Sequence, residues 1–188
     1  QEQLSDMGLA NRKIGVAKHN FQMSDYEHLS ALLPQATMVD TSLMVEYLRM
    51  IKSPAEIEYM RQAARAAEAG MRAGFAAVKE GASETEVAAE VYAASILAGS
   101  GHQFFTSYIC AGDRTHIPHT SWSGKRIKKG DIVFFEISGR VKYYTVPLMR
   151  TSVLGEPSEE ISRSTQACVT ALNRTIETMK PGVQAKEV

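Results

Sequence analysis

Apolar positions change their period several times along the chain, and each change predicts an element. Leu4 to Leu9 reads as the end of a helix, and KIGVA, Lys13 to Ala17, as a short strand. Ser24-Asp25-Tyr26-Glu27 has the form of a capping box and predicts a helix through Leu33, stopped by Pro34. Ala36 to Val39 gives a second short strand. Ser53-Pro54-Ala55-Glu56 predicts a strong helix start, with Ser at the N-cap, Pro at the first helical position and Glu at the third. From there Ile57, Met60, Ala64, Ala67, Met71, Phe75 and Val78 keep helical spacing to about Lys79, and Gly81 ends the run. Ser83-Glu84-Thr85-Glu86 is a further capping box, opening a helix to about Ala98. Gly99 to Gly124 is loop-rich with some strand character. Ile132 to Ile137 predicts a buried strand and Val141 to Met149 its partner, joined by a turn at Ser138-Gly139-Arg140. Gly155-Glu156-Pro157-Ser158 predicts a turn, and Glu159 to Met179 a third long helix.

The pattern also echoes itself. Lys79, Gly81, Glu86 and Val87 recur 101 residues later as Lys180, Gly182, Glu187 and Val188. The apolar positions Met60, Ala67, Met71, Phe75 and Val78 recur as Ile161, Cys168, Leu172, Ile176 and Met179. The echo predicts a duplicated helix-helix-strand-strand unit whose second copy is cut off as its second helix begins. The first 45 residues hold too few strands to close a sheet, and read as the tail of a larger N-terminal domain.

Composition narrows the function classes. The chain has 188 residues, zero formal net charge, 44% apolar and 22% charged residues, an ordinary globular balance. Zero charge gives no electrostatic case for nucleic acid or a membrane surface. No run of apolar residues is long enough to span a bilayer. Cys110 and Cys168 match no metal spacing, and unpaired thiols lead to an expected cytoplasmic location. There is no glycine-rich phosphate loop, no GxSxG elbow and no CxxC.

The chemistry-bearing candidates cluster late in the chain. Glu136 is a lone carboxylate within the apolar run DIVFFEI. Such a group is costly to bury unless it is paired or functional. It reads either as a salt-bridge partner of Arg150 or Lys142, or as a site carboxylate. His119, in THIPHTSW, is a loop histidine with the right chemistry for acid/base work near neutral pH. His116 stands three residues earlier, but Pro118 breaks any helix that would aim both rings at one ion. Tyr143 and Tyr144 are candidates for an aromatic wall around a cationic substrate. Trp122 is near enough to His119 in sequence to line a pocket, and Arg150 reads as an ion-pair partner or a substrate contact.

SPAEIEYMRQAARAAEAGM, the loop ending PHTSW, and KKGDIVFFEISGRVKYYTVPLMRTSVLGEPS together resemble the pita-bread superfamily. That superfamily includes methionine aminopeptidases, Xaa-Pro peptidases, creatinase and ectoine hydrolase. The resemblance covers the whole chain and implies an α/β (α+β) fold. Residues 1–45 would be the tail of a creatinase-type N-terminal domain, and residues 46–188 the first half of a pita-bread catalytic domain. Peptidase members carry two metal-binding aspartates eleven residues apart, the second followed by L-T-R-T. Leu148-Met149-Arg150-Thr151 fixes the register here, so Glu136 takes the first aspartate position and Pro147 the second. Proline has no ligand side chain, and a two-metal centre needs bridging carboxylates.

The branches without metals, creatinase and ectoine hydrolase, act on a guanidinium and a cyclic amidinium. The run FFEISG with PH-TW before it is most similar to ectoine hydrolase; Tyr143-Tyr144-Thr145 and LGEPS look more like creatinase. The resemblance therefore implies a metal-independent, cofactor-independent hydrolase of a non-peptide C–N bond, acting on a small zwitterionic substrate. Glu136 and His119 would be catalytic, with Tyr143, Tyr144, Trp122 and Arg150 binding substrate. A homodimer is expected from the same resemblance. Creatinase activity, a Xaa-Pro peptidase with an unusual metal site, and a non-catalytic binding module are the alternatives.

Overall fold

The computed structural model describes residues 2–102 and 106–188. By its internal contacts the chain divides into two compact units, Gln1–Ala55 and Glu56–Val188.

The first unit is a small α/β piece. Strands β1 (Lys13–Val16) and β2 (Thr37–Asp40) pair in parallel, Ile14 opposite Met38. Parallel pairing requires a crossover, supplied by helix α2 (Met23–Leu32), with Val16 and Leu33 buried. Helix α1 (Glu2–Asp6) precedes this pair and α3 (Met44–Met50) follows it. The N-cap of α2 is Gln22 rather than Ser24, and its side chain makes no capping bond. The expected capping box therefore lies inside the first turn. Helix α1 stops at Asp6, short of the expected Leu9, and α3 had no counterpart in the sequence expectation.

The second unit sets two helices against a three-stranded antiparallel sheet of order β3-β4-β5. Helix α4 (Pro54–Ala77) starts at the proline as expected. Helix α5 (Glu84–Leu97) carries the full capping box, with the Ser83 hydroxyl accepting from the Glu86 amide and the Glu86 carboxylate accepting from the Ser83 amide. Strand β3 (Tyr108–Ala111) pairs with β4 (Ile132–Val141), which pairs with β5 (Tyr144–Val153).

The two strands after Asp131 are longer than the sequence pattern indicates, and their turn lies elsewhere. Val141 pairs with Tyr144, leaving Lys142 and Tyr143 as a two-residue hairpin loop with φ of 47° and 69°. Left-handed backbone at both loop positions matches the strand twist, but Asn and Gly usually fill them. Gly139 lies in mid-strand instead, opposite Val146. Its reason is proximity, not turning. A Cβ there would collide with the Ala63 carbonyl oxygen and come within 2.7 Å of the Ala67 amide nitrogen, both in the α4 backbone. Glycine lets helix and strand approach this closely.

Alternation divides β4 between two faces. Val133, Phe135 and Ile137 join the core with Met71 of α4, Val87 and Val91 of α5, and Ile109 and Ile127. Phe135 meets Phe75 edge-on at 5.2 Å between ring centroids. Phe134, Glu136, Ser138 and Arg140 point to the other face. After β5, helix α6 (Glu159–Thr178) runs with no buried residue. Leu172 and Ile176 are exposed, whereas Ala67 and Met71, which Cys168 and Leu172 echo, are buried in α4.

Candidate functional site

The face of the sheet turned away from α4 carries the candidate site. On β4 it presents Glu136, directly opposite Tyr108 of β3 and Met149 of β5. Pro147 pairs with Ser138, which makes it the diagonal neighbour of Glu136 on the same face. Glu136 is 8% exposed.

His119 reaches this face from the loop between β3 and β4. Its Nε2 lies 3.7 Å from Glu136 Oε1. That separation is too long for a direct hydrogen bond. It suits an ion pair when the imidazole is protonated, or a water or substrate N–H held between the two groups. The His119 ring stacks on Tyr108 at 4.8 Å and 23°. Its backbone has φ of 55°, a left-handed conformation in a non-glycine residue. Such strain persists only where surrounding structure over-determines it, and it is common at functional sites. The three groups form a compact set: a sheltered carboxylate, an exposed imidazole beside it, and an aromatic ring backing the imidazole.

Neither Arg150 nor Lys142 is the partner of Glu136. Arg150 pairs with Phe135 and therefore belongs to the opposite face; its Nη1 donates to the Met149 carbonyl at 2.7 Å. Lys142 sits in the hairpin loop. Tyr143 occupies that loop's tip, 85% exposed, with the Arg140 guanidinium 4.6 Å over its ring. Tyr144 turns toward α4, where its hydroxyl donates to Glu56 at 2.7 Å and its ring stacks on Tyr59. Trp122 packs against the core and meets Tyr92 edge-on at 5.6 Å. The structure thus brings Glu136 and His119 together and directs Tyr143, Tyr144, Trp122 and Arg150 elsewhere. Those four were expected as substrate contacts from the resemblance, and strand register, the hairpin and core packing place them as described.

Two residues at or behind the site escaped the sequence reading. Tyr108 lies in a short strand inside a loop-rich stretch, and only its pairing opposite Glu136 exposes its place. Glu84 looks like a solvated charge in the first turn of α5, yet it is fully buried.

Residues 58–188 match metallopeptidase family M24, and the chain belongs to that family. Its fold is the pita-bread fold. The chain is 30% identical to the ectoine hydrolase of Halomonas elongata over 98% of its own length and 49% of that protein. It is 33% identical to a Xaa-Pro dipeptidase of Pyrococcus furiosus, over 77% of its own length and 42% of that one. The solved prolidase of Pyrococcus furiosus superposes with a TM-score of 0.89 at 28% identity, covering 97% of this chain and 54% of that structure. The chain spans about half the length of the curated relatives it matches.

The family name implies metal, and the donors on this face do not fit a dinuclear centre. Pro147 stands where a second carboxylate would face Glu136, and Met149 is the direct neighbour across the ladder. Among the described residues no three His, Cys, Asp or Glu side chains gather as a metal-binding group. Among the described residues, too, no helix is long and apolar enough to cross a membrane.

Proposed function

We propose that the protein is a hydrolase of a C–N bond in a small cationic amidine, working without a dinuclear metal centre. Ectoine, the compound in the name of the Halomonas elongata relative, is the first substrate to test. One observation carries the reading. Glu136, largely buried, stands 3.7 Å from His119 on a face where Pro147 occupies the position of a second carboxylate. Two metal ions would repel an amidinium, whereas a single, largely buried carboxylate attracts it.

In this scheme Glu136 accepts the amidinium N–H groups and holds the electrophilic carbon near His119. His119 Nε2 takes a proton from water as the oxygen adds to that carbon. The carbon–nitrogen bond then breaks, and the same proton goes to the departing nitrogen. The remaining hydroxyl proton passes by the same imidazole to the freed amine, so the ring opens to an amide and an ammonium, with nothing oxidised or reduced. Tyr108 keeps the imidazole plane fixed during both transfers. Creatine, whose guanidinium carries a similar charge on the attacked carbon, is the second compound to test.

The test uses the full-length protein with ectoine, in the presence and absence of a chelator. Ring opening is expected to survive chelation. Glu136→Gln is expected to lose about a hundredfold or more in kcat, the scale of a positioned acid/base or ionic contact. Full activity in that variant overturns the scheme. So does activity that disappears with chelator alone. A metal-dependent Xaa-Pro peptidase is the second reading, favoured by the 33% identity to the Pyrococcus furiosus dipeptidase. Chelator-sensitive cleavage of an Xaa-Pro dipeptide would establish it.

A further inference from the structure

Glu84 has no solvent exposure and accepts four hydrogen bonds. The Ala111 amide donates at 2.7 Å, the Ser123 amide and hydroxyl each at 2.7 Å, and the Arg114 guanidinium completes the set. Arg114 carries the network onward. Its Nη1 also donates to the Ser123 hydroxyl at 2.7 Å, and its Nη2 to the Ser121 carbonyl at 2.8 Å. The Thr85 amide and hydroxyl donate to the Ser123 carbonyl at 3.1 and 2.8 Å.

The contacts have a shape. They join the end of β3 to Ser121 and Ser123, and so close residues 114–121 into an arc. His119 is inside that arc, in its left-handed conformation. Residues His116 to His119 are exposed, so the core does not fix them. The clasp ties the arc at its two ends, and within it the Ile117 amide donates to the Arg114 carbonyl at 3.2 Å and the Thr120 hydroxyl to the Ile117 carbonyl at 2.7 Å. A buried carboxylate with both oxygens engaged is a stiff joint, because loosening it leaves buried polar atoms without partners.

We propose that Glu84, acting through Arg114 and Ser123, is a positioning residue that holds His119 against Tyr108 and within reach of Glu136. The proposal rests on the reading that His119 and Glu136 act together on the substrate. It goes beyond that reading by assigning the alignment to an ionic joint on the opposite side of the loop. The bland role for the same network is fastening α5 to the sheet, and a measurement of His119 itself separates the two.

The experiment follows the imidazole carbon-proton resonance of His119 in the full-length protein by NMR, identified through His119→Gln. Stacking on Tyr108 gives it a ring-current shift, and Tyr108→Leu supplies the unstacked position. Arg114→Ala and Ser123→Ala are expected to move the resonance toward that position. With ectoine as the probe substrate, both should lower kcat about tenfold or more while changing KM less than about threefold, as misplacement of a catalytic group does. Should Arg114→Ala fail to fold, Ser123→Ala decides, since it keeps the Glu84–Arg114 ion pair and the Ser123 amide bond. A His119 resonance unmoved in Ser123→Ala overturns the proposal. If the parent enzyme leaves ectoine untouched, or His119→Gln keeps full activity, the functional reading fails; the resonance still decides the positioning role.

Discussion

Gly139→Ala tests the close approach of β4 to the α4 backbone. The added methyl meets the α4 backbone at Ala63 and Ala67, and a helix backbone cannot swing aside as a side chain can. Relieving the contact with the Ala67 amide alone means going from 2.7 Å to about 3.5 Å, a retreat of about 0.8 Å. Ala63, Ala66, Ala67, Gly70, Met71 and Gly74 are the buried residues along that helix. A gap of that size forfeits about a quarter to a half of each dispersion contact across it. Overpacking costs about 1–3 kcal/mol, and the rigid obstacle puts this case near 3. For a cooperative unit of about this size, that corresponds to a drop of about 6–12 °C in melting temperature. Thermal unfolding of the full-length protein, followed by circular dichroism, reads it directly. Gly124→Ala is the control, because a Cβ there meets nothing within 4 Å and its φ is not left-handed. A Gly139→Ala protein melting within about 1 °C of the parent refutes the close approach.

Two further predictions concern stability. Ser95 is fully buried on α5, and its hydroxyl has no hydrogen-bond partner among the described residues; Ser95→Ala should stabilise by about 1 kcal/mol in urea unfolding, and destabilisation would reveal a partner. The Glu86 carboxylate is held below its ordinary value of 4.5, first by the Ser83 amide and then by the Ser83 hydroxyl. A depressed acid contributes stability that is complete above the unfolded value and is lost as pH falls through the folded one. Glu86→Gln should therefore flatten the decline in urea midpoint at pH values below 4.5, and an unchanged acid slope would count against the capping box.

Much of the second unit was legible because its signals are local. The Ser53-Pro54 start, the Ser83–Glu86 box and the Ile132 strand each follow from a few adjacent residues. Glu136 stood out because a carboxylate conflicts with its apolar run, and His119 because a loop imidazole suits acid/base work near neutral pH. The misses come from non-local causes. Gly139 has the composition of a turn, but its absent side chain answers to a helix more than seventy residues away. Lys142 and Tyr143 carry no turn signal, and strand pairing forces them into left-handed backbone. Tyr143, Tyr144, Trp122 and Arg150 are near the site in sequence, yet register and packing send them to the tip, the helices and the far face. Glu84 shows the reverse: a polar residue in a favourable cap position hides its burial from any pattern.

The two-sided character of β4 has an evolutionary consequence. Its odd-numbered side chains hold the helices, and its even-numbered ones do not. Chemistry can therefore be exchanged on one side of the ribbon while the scaffold on the other keeps its shape. A carboxylate can lengthen, or a neighbour become proline, with little effect on folding. The same architecture can in this way be retooled for a different bond by a few substitutions spaced two apart.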